Sequence, residues 1–137
     1  NTNMPRYVVS RVMEGLNDRG KALKGSKVLI LGAAYKPDID DMRESPALDV
    51  IGLLQKKGAV VSYHDPYVPH IHHEHDGWHL DSVSDLMQAV GEADAVVIIT
   101  NHKVYDYTAI IEAAKFVFDS RNATGKISKG IDKVERL

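Results

Sequence analysis

Residues 32–46 read Gly-Ala-Ala-Tyr-Lys-Pro-Asp-Ile-Asp-Asp-Met-Arg-Glu-Ser-Pro. The stretch holds an aromatic ring, Tyr35, the cations Lys36 and Arg43, and the carboxylates of Asp38, Asp40 and Asp41. Cations beside an aromatic suit a phosphate-bearing ligand, because Lys and Arg hydrogen-bond phosphate oxygens with charge assistance. The apolar run Val28–Leu31 comes just before, and open α/β sheets bind ligands at the carboxyl ends of their strands. Only Gly32 stands where a dinucleotide fold carries G-x-G-x-x-G, so the backbone alone cannot cradle a diphosphate. Lys36 and Arg43 would then supply the charge. The same residues also fit a solvated charged loop, or an ion-pair cluster that only holds the loop in shape.

Other candidates stand at the ends of other apolar runs. Arg121 follows Phe116–Phe118 through Asp119-Ser120, either aimed at the same crevice as Lys36 or paired with Asp119. Asp65 ends the run Val60–Tyr63 where a ribose-binding acid would lie. Asp65-Pro66 is also a turn signal, and the missing glycine fingerprint favours the turn. His102 follows the third run and reads as a capping or surface histidine rather than a catalytic one. His70, His72, His73, His75 and His79, with Glu74, offer imidazoles to zinc or nickel. Their segment lacks periodicity and reads as a solvated loop, so no metal site is expected. No serine has a nucleophile-elbow context. The chain has no cysteine, which excludes thiolate metal sites and a cysteine nucleophile within it. No catalytic residue is expected here.

Alternating elements must position these groups. Pro5 suits a helix start, and Val8, Val9, Val12, Met13 and Leu16 recur at helical spacing. Gly20 and Gly25 frame a basic connector. Val28–Leu31 is a strand apolar throughout, as for one covered on both faces. Ser45 as N-cap and Pro46 as the first helical residue open a second helix, with Leu48, Ile51 and Leu54 inward and Gly58 at its end. Val60–Tyr63 is the next strand, completing a strand–helix–strand unit. Residues 66–80 read as loop. Ser82-Val83-Ser84-Asp85 resembles a capping box before a short helix with Leu86, Met87 and Val90 inward. Ala95–Ile99 is a strand, Thr108–Ala114 a helix and Phe116–Phe118 a strand, followed by a polar tail. This alternation predicts an α/β fold with a mainly parallel sheet and helices on both faces.

The bulk properties agree. A chain of 137 residues, 44% hydrophobic and 26% charged, suits one domain with a real core. A net charge of −2 disfavours nucleic acid or an acidic membrane as partner. No apolar run approaches the ~20 residues of a membrane span, and no signal peptide pattern opens the chain. A cytoplasmic location is therefore expected. The first residue is Asn rather than Met, which suggests a piece of something longer.

The motif Gly32-x-x-Tyr35-Lys36-Pro37-Asp38-x-Asp40-Asp41-x-Arg43-Glu44-Ser45-Pro46 resembles the opening of the C-terminal domain of the UDP-glucose/GDP-mannose dehydrogenase family. The resemblance continues at Gly58-Ala59-x-Val61, Tyr63-His64-Asp65-Pro66, Ala95–Thr100 and Phe118-Asp119-Ser120-Arg121-Asn122. Asn3–Val8 is similar to the end of the helix joining the family's two halves. The wording of the first motif is most similar to the subgroup oxidising UDP-N-acetylated hexosamines, UDP-N-acetyl-D-glucosamine among them.

The resemblance implies a Rossmann-like three-layer sandwich over residues 25–137, preceded by the inter-domain helix end and connector over 1–24. It implies an NAD-dependent oxidation of the C6 alcohol of a UDP-hexose to the uronate. NAD and the catalytic cysteine would belong mainly to an N-terminal domain, and the full enzyme would be a homo-oligomer. This domain would hold the UDP moiety and close the cleft. Tyr35, Lys36 and Arg121 would bind the nucleotide-sugar, and Arg43 would reach NAD across the domain boundary. The isolated chain would be inactive. The alternative is a free-standing nucleotide-binding or regulatory module that shares the fold without catalysis.

Overall fold

The computed structural model describes residues 3–41, 45–73 and 77–137. Helix α1, Met4–Asp18, leads into β1, Lys27–Leu31, α2, Pro46–Lys56, and β2, Val60–His64. A hairpin follows, β3, His70–His73, and β4, Trp78–Asp81, then α3, Leu86–Glu92, and β5, Ala95–Ile98. The chain continues through α4, Tyr107–Ala113, β6, Val117–Asp119, a 3-10 turn, Ile131–Lys133, and β7, Val134–Arg136.

Five strands form one sheet in the order β2-β1-β5-β6-β7. Every pairing within it is parallel, so all its carboxyl ends lie along one edge. The order reverses direction between β1 and β5, the switch point where such sheets bind ligands. Side chains alternate across the sheet as strand geometry requires. Val28, Ile30, Val97, Phe116 and Phe118 pack with Val8, Val12 and Leu16 of α1 and Val50, Ile51 and Leu54 of α2. Leu29, Leu31, Val96, Ile98 and Val117 face the other way, onto Val90 of α3 and Ile110 and Ile111 of α4. The result is the expected Rossmann-like three-layer sandwich.

Helix α1 lies close against the sheet. A Cβ on Gly15 would sit 2.1 Å from Phe116 Cζ, so glycine lets helix and ring meet. Arg19 covers the same ring, its guanidinium carbon 4.2 Å from the centroid.

Several sequence expectations shift. Where residues 66–80 were expected to be loop, His70–His73 and Trp78–Asp81 are antiparallel strands, with Ile71 paired to Leu80 and His72 to His79. Ile71 is buried, and Trp78 and Leu80 pack on the core, while His70, His72, His79 and Asp81 face out. The histidines masked a period-two pattern. The cap of α3 is Asp85, whose carboxylate accepts from Gln88 N at 3.1 Å, not the Ser82 box. Ser82 instead serves Asp65, donating to its carbonyl and accepting from its N–H. Met13 and Met87 are exposed rather than buried. The polar tail contributes β7, an edge strand that no apolar run announced. No helix among the described residues is long and apolar enough to cross a membrane.

Candidate functional site

The strand β1 is followed by Gly32, with φ +91°. A Cβ there would fall 2.4 Å from Thr100 Cβ and 2.7 Å from Thr100 N and O. Only glycine lets the end of β1 approach the end of β5 this closely. Thr100 Oγ1 then donates to Ala34 O at 2.6 Å.

The two N–H groups after Gly32 do not face solvent. Ala33 N and Ala34 N both donate to Asp65 Oδ2, at 2.7 and 3.1 Å. His102 Nε2 lies 2.9 Å from the same oxygen, and the Asp65 and His102 side chains are both 0% exposed. Asp38 N donates to His102 Nδ1 at 2.7 Å. That bond makes Nδ1 an acceptor and leaves Nε2–H as the donor to Asp65. Tyr67 N donates to Asp65 Oδ1 at 2.8 Å, which completes four donors on one carboxylate. Asp38, at φ +63°, turns the chain and accepts from Lys103 N at 2.9 Å. The loop closes on itself through Tyr35 N to Asp41 O, and Ser45 Oγ ties it down at Ala33 O, 2.6 Å. Ser45 also caps α2, accepting from Ala47 N at 3.2 Å.

This network leaves Tyr35 and Lys36 outside. Both are exposed, with Lys36 Nζ 6.0 Å from the Tyr35 ring centroid. Lys36 forms no ion pair among the described residues. Arg43 lies outside the described residues.

The end of β6 repeats the arrangement. Asp119 is buried. Its Oδ1 accepts from Arg121 N and Ala123 N, its Oδ2 from Thr124 N and Thr124 Oγ1, at 2.6 to 3.1 Å. Ionised carboxylates offer about four acceptor sites, so none is left for the Arg121 guanidinium. The alternative Arg121–Asp119 salt bridge is therefore absent. Arg121 is exposed and lines an open cavity of about 380 Å³ with Ser120, Asn122 and Arg136. Lys36 and Arg121 thus follow strands on either side of β5 at one sheet edge, whose ends lie ~10 Å apart by strand spacing.

Sequence reasoning missed His102 as a buried residue and Asp65 as more than a turn former. Asp65 does make the expected turn through Tyr67 N. The missed signal was a buried polar residue at or within a few positions of a strand end, at Asp65, Thr100, His102 and Asp119. Burial lowers the pKa of nearby His64, against an opposing pull from Asp65. Burial, then the field of Asp65, raises Tyr105, whose hydroxyl donates to His64 O at 2.9 Å. No group of three or more His, Cys, Asp or Glu among the described residues is placed to hold a metal ion.

Together these features define a doubly wound, parallel α/β domain with Lys36 and Arg121 exposed after strands that end along one sheet edge. The chain belongs to the UDP-glucose/GDP-mannose dehydrogenase family, whose UDP binding domain matches residues 29–126. It is 33% identical over 130 residues to UDP-N-acetyl-D-mannosamine dehydrogenase of Methanococcus maripaludis, covering 89% of this chain and 28% of that protein. It is 44% identical over 82 residues to UDP-glucose 6-dehydrogenase of Rhizobium meliloti, covering 59% of this chain and 18% of that one. The fold is similar over its whole length to UDP-D-ManNAc dehydrogenase of Pyrococcus horikoshii, with TM-score 0.81, 26% identity and 31% of that chain covered. It is also similar to NDP-N-acetyl-D-galactosaminuronic acid dehydrogenase of Methanosarcina mazei, with TM-score 0.79, 30% identity and 30% of that chain covered. The chain therefore spans less than a third of each of these four proteins.

Proposed function

We propose that this chain is the C-terminal, UDP-holding domain of an NAD-dependent dehydrogenase that oxidises the C6 alcohol of a UDP-hexose, in particular a UDP-N-acetylhexosamine. Lys36 and Arg121 take the diphosphate, Tyr35 packs against the nucleotide-sugar, and Arg43 reaches NAD across the domain boundary. Residues 1–24 form the end of an inter-domain helix and its connector. The N-terminal domain is this chain's partner, the full enzyme is a homo-oligomer, and it works in the cytoplasm. The observation that carries the reading is the pair of exposed cations at one sheet edge, in loops whose own amides bond the buried carboxylates Asp65 and Asp119. Among the described residues neither cation is paired with a carboxylate, which leaves both to a ligand in this reading.

NAD does not fit the switch-point crevice of this chain. Asp65 occupies the amides that would face a diphosphate, and Thr100 stands against Gly32. The reading accordingly gives NAD mainly to the N-terminal domain. The chain has no cysteine, so it cannot form the thioester that such an oxidation passes through.

The test is kinetic, in the full-length enzyme. Lys36→Ala and Arg121→Ala each remove a charge-assisted phosphate contact, so each should weaken UDP-sugar use ~10-fold or more. Arg43→Ala should weaken NAD use more than UDP-sugar use. Unchanged kinetics in the Lys36 and Arg121 variants, or turnover of a UDP-hexose by the 137-residue chain alone, would overturn the reading.

A further inference from the structure

In a dinucleotide fold the amides after the first strand point at a phosphate. Here Ala33 N–H and Ala34 N–H converge on a single oxygen, Asp65 Oδ2. That carboxylate is 0% exposed and has no Lys or Arg partner among the described residues. It is held by N–H groups alone, as an anion is held in a backbone nest. An Asp-Pro turn needs only the bond from Tyr67 N to Oδ1. The other oxygen works on the loop thirty-odd residues away. His102 extends its reach by donating to Asp65 and accepting from Asp38 N. Residues 33–38, which carry Tyr35 and Lys36, are thus pinned at both ends to one buried carboxylate.

We propose that Asp65 is a built-in phosphate mimic and a positioning residue. Its carboxylate fills the place of a dinucleotide's phosphates and, through His102, sets the loop that presents Lys36 to the nucleotide-sugar. The second half of this statement rests on the reading of Lys36 as a UDP ligand; the first does not.

The experiment uses the 137-residue chain and its Asp65→Ala and Asp65→Asn variants, followed by amide NMR with and without excess formate at matched ionic strength. In Asp65→Ala, exchange at Ala33, Ala34 and Asp38 should quicken ~10-fold or more, and UDP binding should weaken by a similar factor. Formate, a free carboxylate, should restore both in Asp65→Ala and change neither in the unsubstituted chain. Asp65→Asn keeps an acceptor oxygen for Ala33, Ala34 and His102, so it should retain most of the protection there and most of the UDP affinity. If Asp65→Ala does not fold in anion-free buffer, refolding on addition of formate or inorganic phosphate supports the proposal, and failure to refold with either overturns it. A folded Asp65→Ala whose loop amides stay protected, or whose loop ignores formate, also overturns it. An unsubstituted chain that shows no UDP response, with exchange and formate behaving as described, removes the reading of Lys36 and leaves the phosphate mimic. UDP binding with a loop indifferent to Asp65 removes the mimic alone.

Discussion

Replacing Gly32 with alanine tests how the ligand edge is closed. Two penalties add. The backbone sits at φ +91°, where an L-residue loses about 1–2 kcal/mol. The new methyl would lie 2.4 Å from Thr100 Cβ and 2.7 Å from Thr100 N and O. Those backbone atoms cannot yield alone, because Ile99 N and Thr100 N both donate to Leu31 O. Shifting the strand end to admit the methyl should cost a further 1–3 kcal/mol or so. The sum is about 2–5 kcal/mol. Gly25→Ala is the matched control, with φ +85° and nothing within 4 Å of its Cβ. It carries the backbone penalty alone, about 1–2 kcal/mol. Equilibrium urea unfolding of both variants, two-state for a domain of this size, gives the difference directly. A Gly32→Ala cost no larger than that of Gly25→Ala would refute the close approach of β1 and β5.

Three further outcomes follow from the same geometry. Asp119→Ala strips four donors of their acceptor, and thermal denaturation should show a loss of about 3 kcal/mol or more; an unchanged melting temperature would exclude that role. Gly15→Ala drives a methyl into Phe116 and should cost about 1–3 kcal/mol in urea, whereas a neutral result would show that α1 is free to lift. The folded state lowers the pKa of His64 by burial and of Asp94 through its hydrogen bonds from Lys21 and Lys27. For both, the unfolded chain binds the proton first, so stability is lost as pH falls. The loss should begin as pH drops below the ordinary histidine value of 6.5, and deepen below the carboxylate value of 3.8. Measured by urea midpoints across pH, His64→Gln should flatten the first window and Asp94→Asn the second; an unaltered profile in either variant contradicts its assignment.

What was legible in the sequence was whatever repeats locally. Val28–Leu31, Ala95–Ile98 and the apolar stripe of α2 announce buried elements by runs and periods, and those runs suffice for a parallel α/β sheet. The hairpin was hidden because histidine is ambiguous at an outward strand position, so Ile71 and Leu80 looked isolated. Strand β7 was hidden because Val134–Arg136 is a short edge strand, half-buried at each residue, and needs no apolar run. The cations of the site could be placed at strand ends from their spacing. Their freedom could not, because it depends on Asp65 reaching Ala33 and His102 reaching Asp65 across 32 and 37 positions. Contacts of that range leave no periodic trace. Arg121 shows the consequence: beside Asp119 in sequence it reads equally as an ion pair, and only the saturated carboxylate separates the two.

The central claim is that Lys36 and Arg121 form one face for a nucleoside diphosphate. Amide NMR of the 137-residue chain titrated with UDP tests it most directly, since weak binding still moves resonances. The account predicts saturable shifts at residues 34–38 and 119–123, lost in a Lys36→Ala/Arg121→Ala double variant that keeps its fold. Saturable shifts that persist in that variant, that map to the amino ends of the strands, or no response at all would contradict it.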